Sequence, residues 1–373
     1  MSTLVTITLT LYFLLLLFLR MGWSRSLRVK YLGGKLHQMS IVIPFRNEGQ
    51  NVSRLIESLC KVDYPTNHFE VILVDDHSLD SSLSKARDLI ERLENFKVIQ
   101  LDENSEGKKQ ALTKGVTNAS GEIIVTTDAD CVVPAYWLTE FNNAFGEQHH
   151  QLVFGAVTLK GSNSFFARLQ TMEFLSLIGS AVATMGFGWF TMCNGANLAF
   201  RKEAFQKVKG YEGNVNVPSG DDEFLARKIL KAFPGSIGFL NGDESVVVTP
   251  AQPSLRDFVS QRIRWAGKWR YNQAPTTRLL AVFIACVQMI WLFTLLSIPF
   301  NWLPVRLSIG LILTKLLFEM IVLIPVHRFT RANWHHVAFI VLQFVYPLYV
   351  LAIGLASMVS GYRWKGRSLT HKM

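Results

Sequence analysis

Apolar positions follow two different patterns along this chain. Residues 4–19 and most of residues 279–362 are apolar. Between these two regions, short β-branched runs alternate with stretches whose apolar positions recur at helical spacing. Long apolar segments are long enough to cross a bilayer as helices. The pattern predicts a membrane anchor over residues 1–22, a folded domain over 38–250, a membrane-surface helix over 251–275 and a membrane region of about three segments over 279–362.

The folded domain has the pattern of an α/β protein. β-branched runs occupy residues 40–44, 69–76, 97–101 and 122–127, and a stretch of helical periodicity follows each of the first three. Strands that alternate with helices predict a Rossmann-like, mostly parallel sheet. Residues 165–190 are also apolar, but a span there would separate the domain into halves on opposite sides of a membrane. We therefore expect a buried or interfacial helix at this point.

Basic residues set the expected orientation in a membrane. Arg20, Arg25 and Arg28 follow the first apolar segment, and Arg328 and Arg331 lie between the last two. The positive-inside rule makes both positions cytoplasmic, which predicts an integral protein of the plasma (inner) membrane with a cytoplasmic catalytic domain. A third full crossing would place the basic residues after 362 outside. The alternative is a kinked or re-entrant third segment, with its bend at Pro347 and Gly354.

Composition narrows the classes of protein. The 373 residues are 49% hydrophobic and carry a formal net charge of +10, but the basic residues cluster beside apolar segments and not among exposed aromatic ones. This favours a membrane partner and no nucleic acid. The four cysteines are far apart and lack C-x-x-C spacing, so neither a zinc site nor a disulfide framework is expected.

Acidic residues follow the central predicted strand. Asp128 and Asp130 come directly after residues 123–127, and the preceding strand ends in Asp75 and Asp76. Because ligands of parallel sheets bind at the carboxyl ends of strands, these carboxylates predict an edge that holds Mg²⁺ or Mn²⁺ and a nucleotide diphosphate. Lys108, at a helix start, could add positive charge near the phosphates. The alternatives are polar turns and a solvated lysine. Neither a Walker sequence nor G-x-G-x-x-G follows these strands.

These residues resemble the family-2 glycosyltransferases, which are inverting enzymes with a GT-A fold. The similar segments, in chain order, are SIVIPFRNE (40–48), VDDHSLD (74–80), GKKQAL (107–112), DAD (128–130), NGANLAFR (194–201), GDDEFL (220–225) and QRIRW (261–265). The last resembles the Q-x-x-R-W sequence of membrane-associated members such as the cellulose, chitin and hyaluronan synthases and ceramide glucosyltransferase.

The resemblance implies a role for each matching residue. Asp222 is expected as the catalytic base and Arg264 as a catalytic group on the leaving diphosphate, although Asp222 could also be a helix cap. A divalent cation, Mg²⁺ or Mn²⁺, would be held by Asp130 and Asp128. The acceptor side would comprise Gly195, Asn197, Asp221 and Trp265. The nucleotide sugar would be bound by Pro44, Arg46, Glu48, Asp76, Lys108, Asp128, Gln261, Arg264 and Trp265.

The predicted function is a membrane-bound transfer of sugar from a nucleotide donor, expected to be a UDP-sugar, to a lipid-linked or saccharide acceptor. One alternative is a processive polysaccharide synthase of the same family, for which about four spans would require an oligomer or a partner subunit. Another is a membrane protein that binds nucleotide without catalysis. For the 251–275 helix itself, the alternative is a purely interfacial role with Arg262, Arg264, Lys268 and Arg270 facing lipid headgroups.

Overall fold

The structure is a computed structural model of the chain. It describes residues 1–29, 31, 33–146, 149–160, 163–215, 217, 219–268, 275–359, 362–364 and 367–369.

Helices and strands alternate through the first half of the chain, and long helices dominate its end. The strands are β1 (Met39–Phe45), β2 (Phe69–Asp75), β3 (Phe96–Gln100), β4 (Ile123–Thr126), β5 (Leu152–Phe154), β6 (Val157–Lys160), β7 (Leu198–Arg201), β8 (Ile237–Phe239), β9 (Val247–Pro250), β10 (Tyr362–Trp364) and β11 (Arg367–Leu369). The α-helices are α1 (Ser2–Ser26), α2 (Val52–Leu59), α3 (Ser82–Ile90), α4 (Lys108–Thr117), α5 (Trp137–Gly146), α6 (Phe165–Met185), α7 (Lys202–Lys207), α8 (Asp221–Ala232), α9 (Leu255–Gly267), α10 (Pro275–Phe300), α11 (Val305–Thr330) and α12 (His336–Val359).

A seven-stranded sheet forms the centre of the domain, in the order β3-β2-β1-β4-β7-β5-β8. The first four strands are parallel, β7 is antiparallel to both β4 and β5, and β5 and β8 are parallel. The mostly parallel α/β sheet predicted from the sequence is therefore confirmed. β6 and β9 pair in a separate two-stranded sheet.

Pro44 occupies a position in β1 where a proline is tolerated. β1 pairs with β2 along its whole length, but it pairs with β4 only from Met39 to Val42. Pro44 therefore lies beyond the ladder with β4, where no N–H is needed. Because β4 stops at Thr126, the sheet opens at this edge directly before Asp128.

Helix α6 joins the sheet domain to the first long apolar helix. A Cβ atom on Gly22 of α1 would lie 2.1 Å from the carbonyl oxygen of Ala183 in α6, and one on Gly186 would lie 2.0 Å from the carbonyl oxygen of Gly22. Only glycine allows the two backbones to approach so closely. α6 also packs against α11 and α12, so it contacts both ends of the chain.

In the described part of the chain, four helices are long and apolar enough to cross a membrane. They are α1 and the regions Arg278–Phe300, Val305–Thr330 and His336–Ser357. The four segments predicted from hydrophobicity fall on these helices, while the exact domain boundaries stay predictions. α6 covers most of the apolar stretch predicted to be buried or interfacial.

A polar cluster links three of these helices. Lys315 of α11 lies 2.6 Å from Glu319, one turn further on, and its ammonium also donates to Gln343 Oε1 of α12 at 2.6 Å. The hydroxyl of Tyr12 in α1 donates to Glu319 at 2.8 Å. Each charge thus has a partner, which polar groups among apolar helices require. The arrangement agrees with the structural role expected for the Lys315 and Glu319 pair.

Both ends of α12 lie beside elements of the sheet domain. Just before α12, Arg331 contacts Asp243 at 2.8 Å and Glu244 at 2.7 Å. Just after α12, β10 lies against α9. The proline predicted to bend this segment, Pro347, is inside the helix. α12 is a single continuous helix through Pro347 and Gly354, so no break of a re-entrant segment is seen there, but the contacts at its two ends favour return of the basic tail to the side of the sheet domain.

This arrangement predicts the position of the tail in a membrane. An epitope tag after Leu369 should be accessible from the same face as a tag in the 102–106 loop of the sheet domain. A tag in the loop between α10 and α11, at residues 301–304, should be accessible only from the opposite face. Antibody labelling of sealed vesicles of both orientations measures this. Labelling of the Leu369 tag together with the 301–304 tag would contradict the re-entrant arrangement.

Candidate active site

One large cavity lies at the carboxyl edge of the parallel strands. Its volume is about 1860 Å³, and its lining continues from the sheet edge to side chains of α9, α10, α11 and α12. The predicted site residues that line it are Pro44, Arg46, Glu48, Asp76, Lys108, Asp128, Asp130, Gly195, Asp221, Asp222, Gln261, Arg264 and Trp265. Residues that are far apart in the sequence are therefore brought to one space.

Arg46 links the loop after β1 to the loop after β2 by hydrogen bonds. Its Nη1 donates to the carbonyl oxygens of Asp76 and His77, both at 2.6 Å. The Asp76 carboxylate accepts from the Gly107 N–H at 3.0 Å, at the start of α4. Glu48 accepts from the side-chain amide of Asn51 at 2.7 Å. Three loops are thus fixed around the position where a nucleotide was predicted.

Asp128 and Asp130 lie in a turn that follows β4. The N–H of Cys131 donates to the carbonyl oxygen of Asp128 at 3.1 Å, which closes the turn. Both carboxylates line the cavity, but the described residues include no group of three or more His, Cys, Asp or Glu that could hold a metal ion. Two carboxylates fit Mg²⁺ or Mn²⁺ when phosphates and water supply the remaining ligands. The donor set suits a cation that binds together with a diphosphate.

Lys108 neutralises two of the carboxylates. Its Nζ lies 2.8 Å from Asp128 Oδ1 and 2.9 Å from Asp221 Oδ2. Burial disfavours the ammonium, but the carboxylates of Asp128 and Asp221 outweigh it and raise the pKa of Lys108 well above its ordinary value. Burial likewise disfavours the Asp221 carboxylate, but Lys108 keeps the pKa of Asp221 below its ordinary value. Both groups therefore stay charged at neutral pH.

Asp222 lies at the start of α8, where the helix dipole favours a carboxylate. Its Oδ2 accepts from the Gly195 N–H at 3.1 Å, and its Oδ1 accepts from the Glu223 N–H at 2.6 Å. Lys268, just after α9, lies 3.6 Å from Asp222 and 3.8 Å from Glu223. The carboxylate is thus held in one orientation and lines the cavity, as a general base requires.

Gly195 allows this close packing. A Cβ at this position would lie 3.0 Å from Asp221 Oδ2 and 3.5 Å from both Asp222 Cβ and Lys108 Nζ. A side chain here would press on the ion pairs. The contribution of Gly195 is therefore its backbone N–H and its lack of a side chain.

Helix α9 brings the Q-x-x-R-W residues to the cavity. Ser254 begins the helix by accepting from the Asp257 N–H at 3.1 Å. Gln261, Arg264 and Trp265 line the cavity. The Arg264 guanidinium makes no hydrogen bond or ion pair with another residue in the described part of the chain. A planar set of donors facing a cavity is suited to a diphosphate.

Three predictions about individual side chains need correction. Asn197, expected on the acceptor side, does not line the cavity and is completely buried. Its amide donates to the carbonyl oxygens of Ala156 and Ser245, both at 2.8 Å, and accepts from Trp137 Nε1 at 2.9 Å. It therefore joins loops of the core.

The other two corrections concern basic residues that could have faced headgroups. Arg262 is 5% exposed and pairs with Glu173 of α6, and Lys268 turns toward Asp222. Arg270, the fourth basic residue of that set, lies outside the described residues. Glu173 was missed because nothing in the sequence connects α6 with α9. Lys268 could have been found, because it lies one helical turn after Arg264 on the same face.

Comparison with known protein families gives a match in the middle of the chain. Residues 40–209 match the family described as Glycosyl transferase family 2. These residues belong to the family-2 glycosyltransferases. The membership expected from the motifs is confirmed, and the matched range contains β1 to β7 with Asp76, Lys108, Asp128 and Asp130.

Curated relatives match parts of this chain. A putative glycosyltransferase, CsbB of Bacillus subtilis, is 32% identical over 146 residues, which are 39% of this chain and 43% of that protein. Poly-beta-1,6-N-acetyl-D-glucosamine synthase of Staphylococcus epidermidis is 29% identical over 198 residues, 51% of this chain and 45% of that protein. The chain thus matches less than half the length of these relatives.

A solved structure shares the fold along almost the whole chain. It is the mannosyltransferase PcManGT from Pyrobaculum calidifontis, in complex with GDP-Man and Mn²⁺. The TM-score is 0.62 at 19% sequence identity, over 96% of this chain and 99% of that chain. At this identity the likeness establishes the GT-A-like fold and nothing about substrate.

The bridging position of Lys108 predicts the effect of replacing it. Lys108→Met leaves the carboxylates of Asp128 and Asp221 without their shared cation, which should destabilise the protein by about 1–3 kcal/mol and lower its melting temperature. Lys108→Arg keeps the charge and serves as the control. Thermal unfolding of the detergent-solubilised protein measures the difference.

The pH dependence of this difference follows from the two pKa shifts. The stabilisation from Asp221 is present above its ordinary pKa of 3.8 and is lost as pH falls through its lowered value. The stabilisation from Lys108 is present below 10.5. The difference in melting temperature between wild type and Lys108→Met should therefore be constant from about pH 5 to 9 and should become smaller in acid. A gap that grows below pH 4 would contradict the assigned ion pair.

Proposed function

We propose that this chain is a membrane-embedded inverting glycosyltransferase that transfers a sugar from a nucleotide diphosphate donor to a lipid acceptor. The observation that carries the proposal is the single cavity, which reaches from the carboxylates at the sheet edge to the apolar side chains of the long helices. Both substrates can meet in such a space although one is dissolved in water and the other in the membrane.

The donor binds at the edge formed by β1, β2 and β4. Asp76 lies where a carboxylate can accept hydrogen bonds from a base or ribose, and the Arg46 contacts hold its loop in place. Asp128 and Asp130 would hold a divalent cation, which would neutralise charge on the diphosphate. Lys108 and Arg264 add positive charge from two other elements. We expect a UDP-sugar, with Mg²⁺ or Mn²⁺.

The acceptor enters from the long helices. Leu16 and Leu19 of α1, Leu280 and Ile284 of α10 and Tyr346 of α12 line the same cavity as Asp222. A water-soluble saccharide has no need of an apolar channel, whereas a lipid can place its polar end at Asp222 with its tail among these side chains. This supports a lipid acceptor over a free saccharide.

Transfer with inversion requires three actions from the protein. Asp222 accepts the proton of the acceptor hydroxyl, so that the oxygen can attack the anomeric carbon from the side opposite the leaving group. Arg264 and Lys108 stabilise the negative charge that develops on the departing diphosphate. The ion pair with Lys268 and the hydrogen bond from Gly195 hold the Asp222 carboxylate in position.

The membrane location follows from the same arrangement. Four helices are apolar and long enough to span, and the first is packed against α6 of the catalytic domain. Basic residues on the domain side support a cytoplasmic domain, where nucleotide sugars are dissolved. We therefore place the protein in the plasma (inner) membrane.

The decisive experiment is nucleotide release by purified protein in detergent or nanodiscs, with membrane lipid extract and Mn²⁺ or Mg²⁺. The panel contains several UDP-sugars and GDP-mannose. Wild type should consume one donor and form one discrete glycolipid. Asp222→Asn should lower the rate by about 100-fold or more, since removal of a general base typically costs 10²–10⁴.

Asp88→Asn, an exposed carboxylate on α3, is the matched control and should retain full activity. Long polymer ladders in place of a discrete glycolipid would favour a processive synthase. Nucleotide binding without release in wild type would favour the non-catalytic alternative. Full activity of Asp222→Asn would refute the role of the base.

A further inference from the structure

Arg262, between the Q-x-x-R-W residues Gln261 and Trp265, is directed into the protein. It is 5% exposed, and so is the side chain of Glu173 in α6 with which it pairs. Arg262 Nη2 lies 2.5 Å from Glu173 Oε2, and Nε donates to Glu173 Oε1 at 3.2 Å. Two parallel contacts fix the plane of the guanidinium as well as its position.

The same guanidinium contacts both neighbouring motif residues. Its Nη1 donates to Gln261 Oε1 at 2.6 Å. Its central carbon lies 4.3 Å from the ring centroid of Trp265 and 4.5 Å from that of Phe258. A cation over an aromatic ring is attracted to it, so the orientation of Arg262 also restrains the Trp265 ring.

This arrangement decides which end of the Gln261 amide faces the cavity. Because Oε1 accepts from Arg262, the NH₂ group points the other way. Gln261 lines the cavity, so it presents a hydrogen-bond donor there. A donor suits the oxygen atoms of a hydroxyl, phosphate or sugar.

A third helix completes the cluster. The hydroxyl of Tyr349 in α12 lies 3.4 Å from Glu173 Oε1, and its ring centroid lies 5.6 Å from that of Phe258. The cluster of Glu173, Arg262, Gln261, Trp265 and Tyr349 therefore ties α6, α9 and α12 together at the cavity wall. Since a buried ion pair is often no more stabilising than apolar residues of similar volume, stability alone is a weak reason for one here.

We propose that Glu173 is a positioning residue for the acceptor: through Arg262 it orients the Gln261 amide and the Trp265 ring. The proposal rests on the function proposed above, because it presumes transfer to an acceptor. Glu173 acts only through Arg262 and takes no part in the chemistry.

Two variants separate positioning from stability. Glu173→Gln removes the charge that fixes the guanidinium. Arg262→Lys keeps a cation beside Glu173 but loses the planar set of donors, so it cannot hold Gln261 at the same time. Glu70→Gln is the matched control, because it breaks a partly buried pair with Lys97, 2.8 Å long, on strand β2 at the far side of the sheet.

Kinetics give the first readout. In Glu173→Gln and Arg262→Lys the KM for the lipid acceptor should rise about tenfold or more, because small errors of placement are costly. Donor KM should rise much less than acceptor KM, because Asp76, Lys108 and Arg264 keep their places although Gln261 and Trp265 are also expected to contact the donor. Glu70→Gln should lower the melting temperature without changing the acceptor KM. A normal acceptor KM in both variants, with active wild type, would overturn the proposal.

If wild type transfers no sugar, the proposed function is refuted by that result alone. The positioning role can still be tested by a measurement that does not depend on activity. The fluorescence of Trp265 is obtained as the difference between each protein and the same protein carrying Trp265→Phe. Its quenching by acrylamide should increase at least about twofold in Glu173→Gln, as the guanidinium leaves the ring, and stay unchanged in Glu70→Gln. Unchanged quenching in Glu173→Gln would refute the positioning role even if the enzyme were inactive.

Discussion

The concentration of carboxylates at one edge of the sheet is the constraint on which the rest of the structure depends. Asp128, Asp221 and Asp222 lie around one cavity, where like charges repel one another unless cations lie between them. The cations come from two elements: Lys108 begins α4, and Lys268 follows α9. Charge balance therefore couples the family-2 domain to the helix that carries Gln261, Arg264 and Trp265. In the proposed function, a donor and its cation would enter an edge where lysines already pair with the carboxylates.

The same edge is also where the domain meets the long apolar helices. α6 touches α1 through Gly22 and Gly186, and it touches α9 through Glu173 and Arg262. One helix thus sets both the distance of the domain from the first apolar helix and the orientation of the α9 side chains. Through α6, the cavity at the sheet edge continues to residues of potential membrane spans. Polar contacts at the junction are paired, as a low-dielectric surrounding requires.

The sheet edge was predictable from the sequence because period-two strands and the acids after them obey local rules. Parallel strands bring Asp76 and Asp128 to the same edge of the sheet, and the strand order β2-β1-β4 keeps them one strand apart. The failures concern side chains whose direction depends on tertiary packing. Asn197 belongs to a motif, yet its amide is used between Ala156, Ser245 and Trp137, which no local pattern reveals. In the sequence alone Arg262 looks like a surface arginine. It is buried because it pairs with Glu173 of α6, which lies 89 residues away in sequence.

The central claim is that Asp128 and Asp130 form half of a cation site that a nucleotide diphosphate completes. Mn²⁺ binding followed by electron paramagnetic resonance tests it directly, with and without UDP or GDP, in wild type, Asp130→Asn and Asp88→Asn. The account predicts tight Mn²⁺ binding only with one of the nucleotides, weakened at least about tenfold in Asp130→Asn and unchanged in Asp88→Asn. Equally tight binding without nucleotide, or in Asp130→Asn, would contradict it.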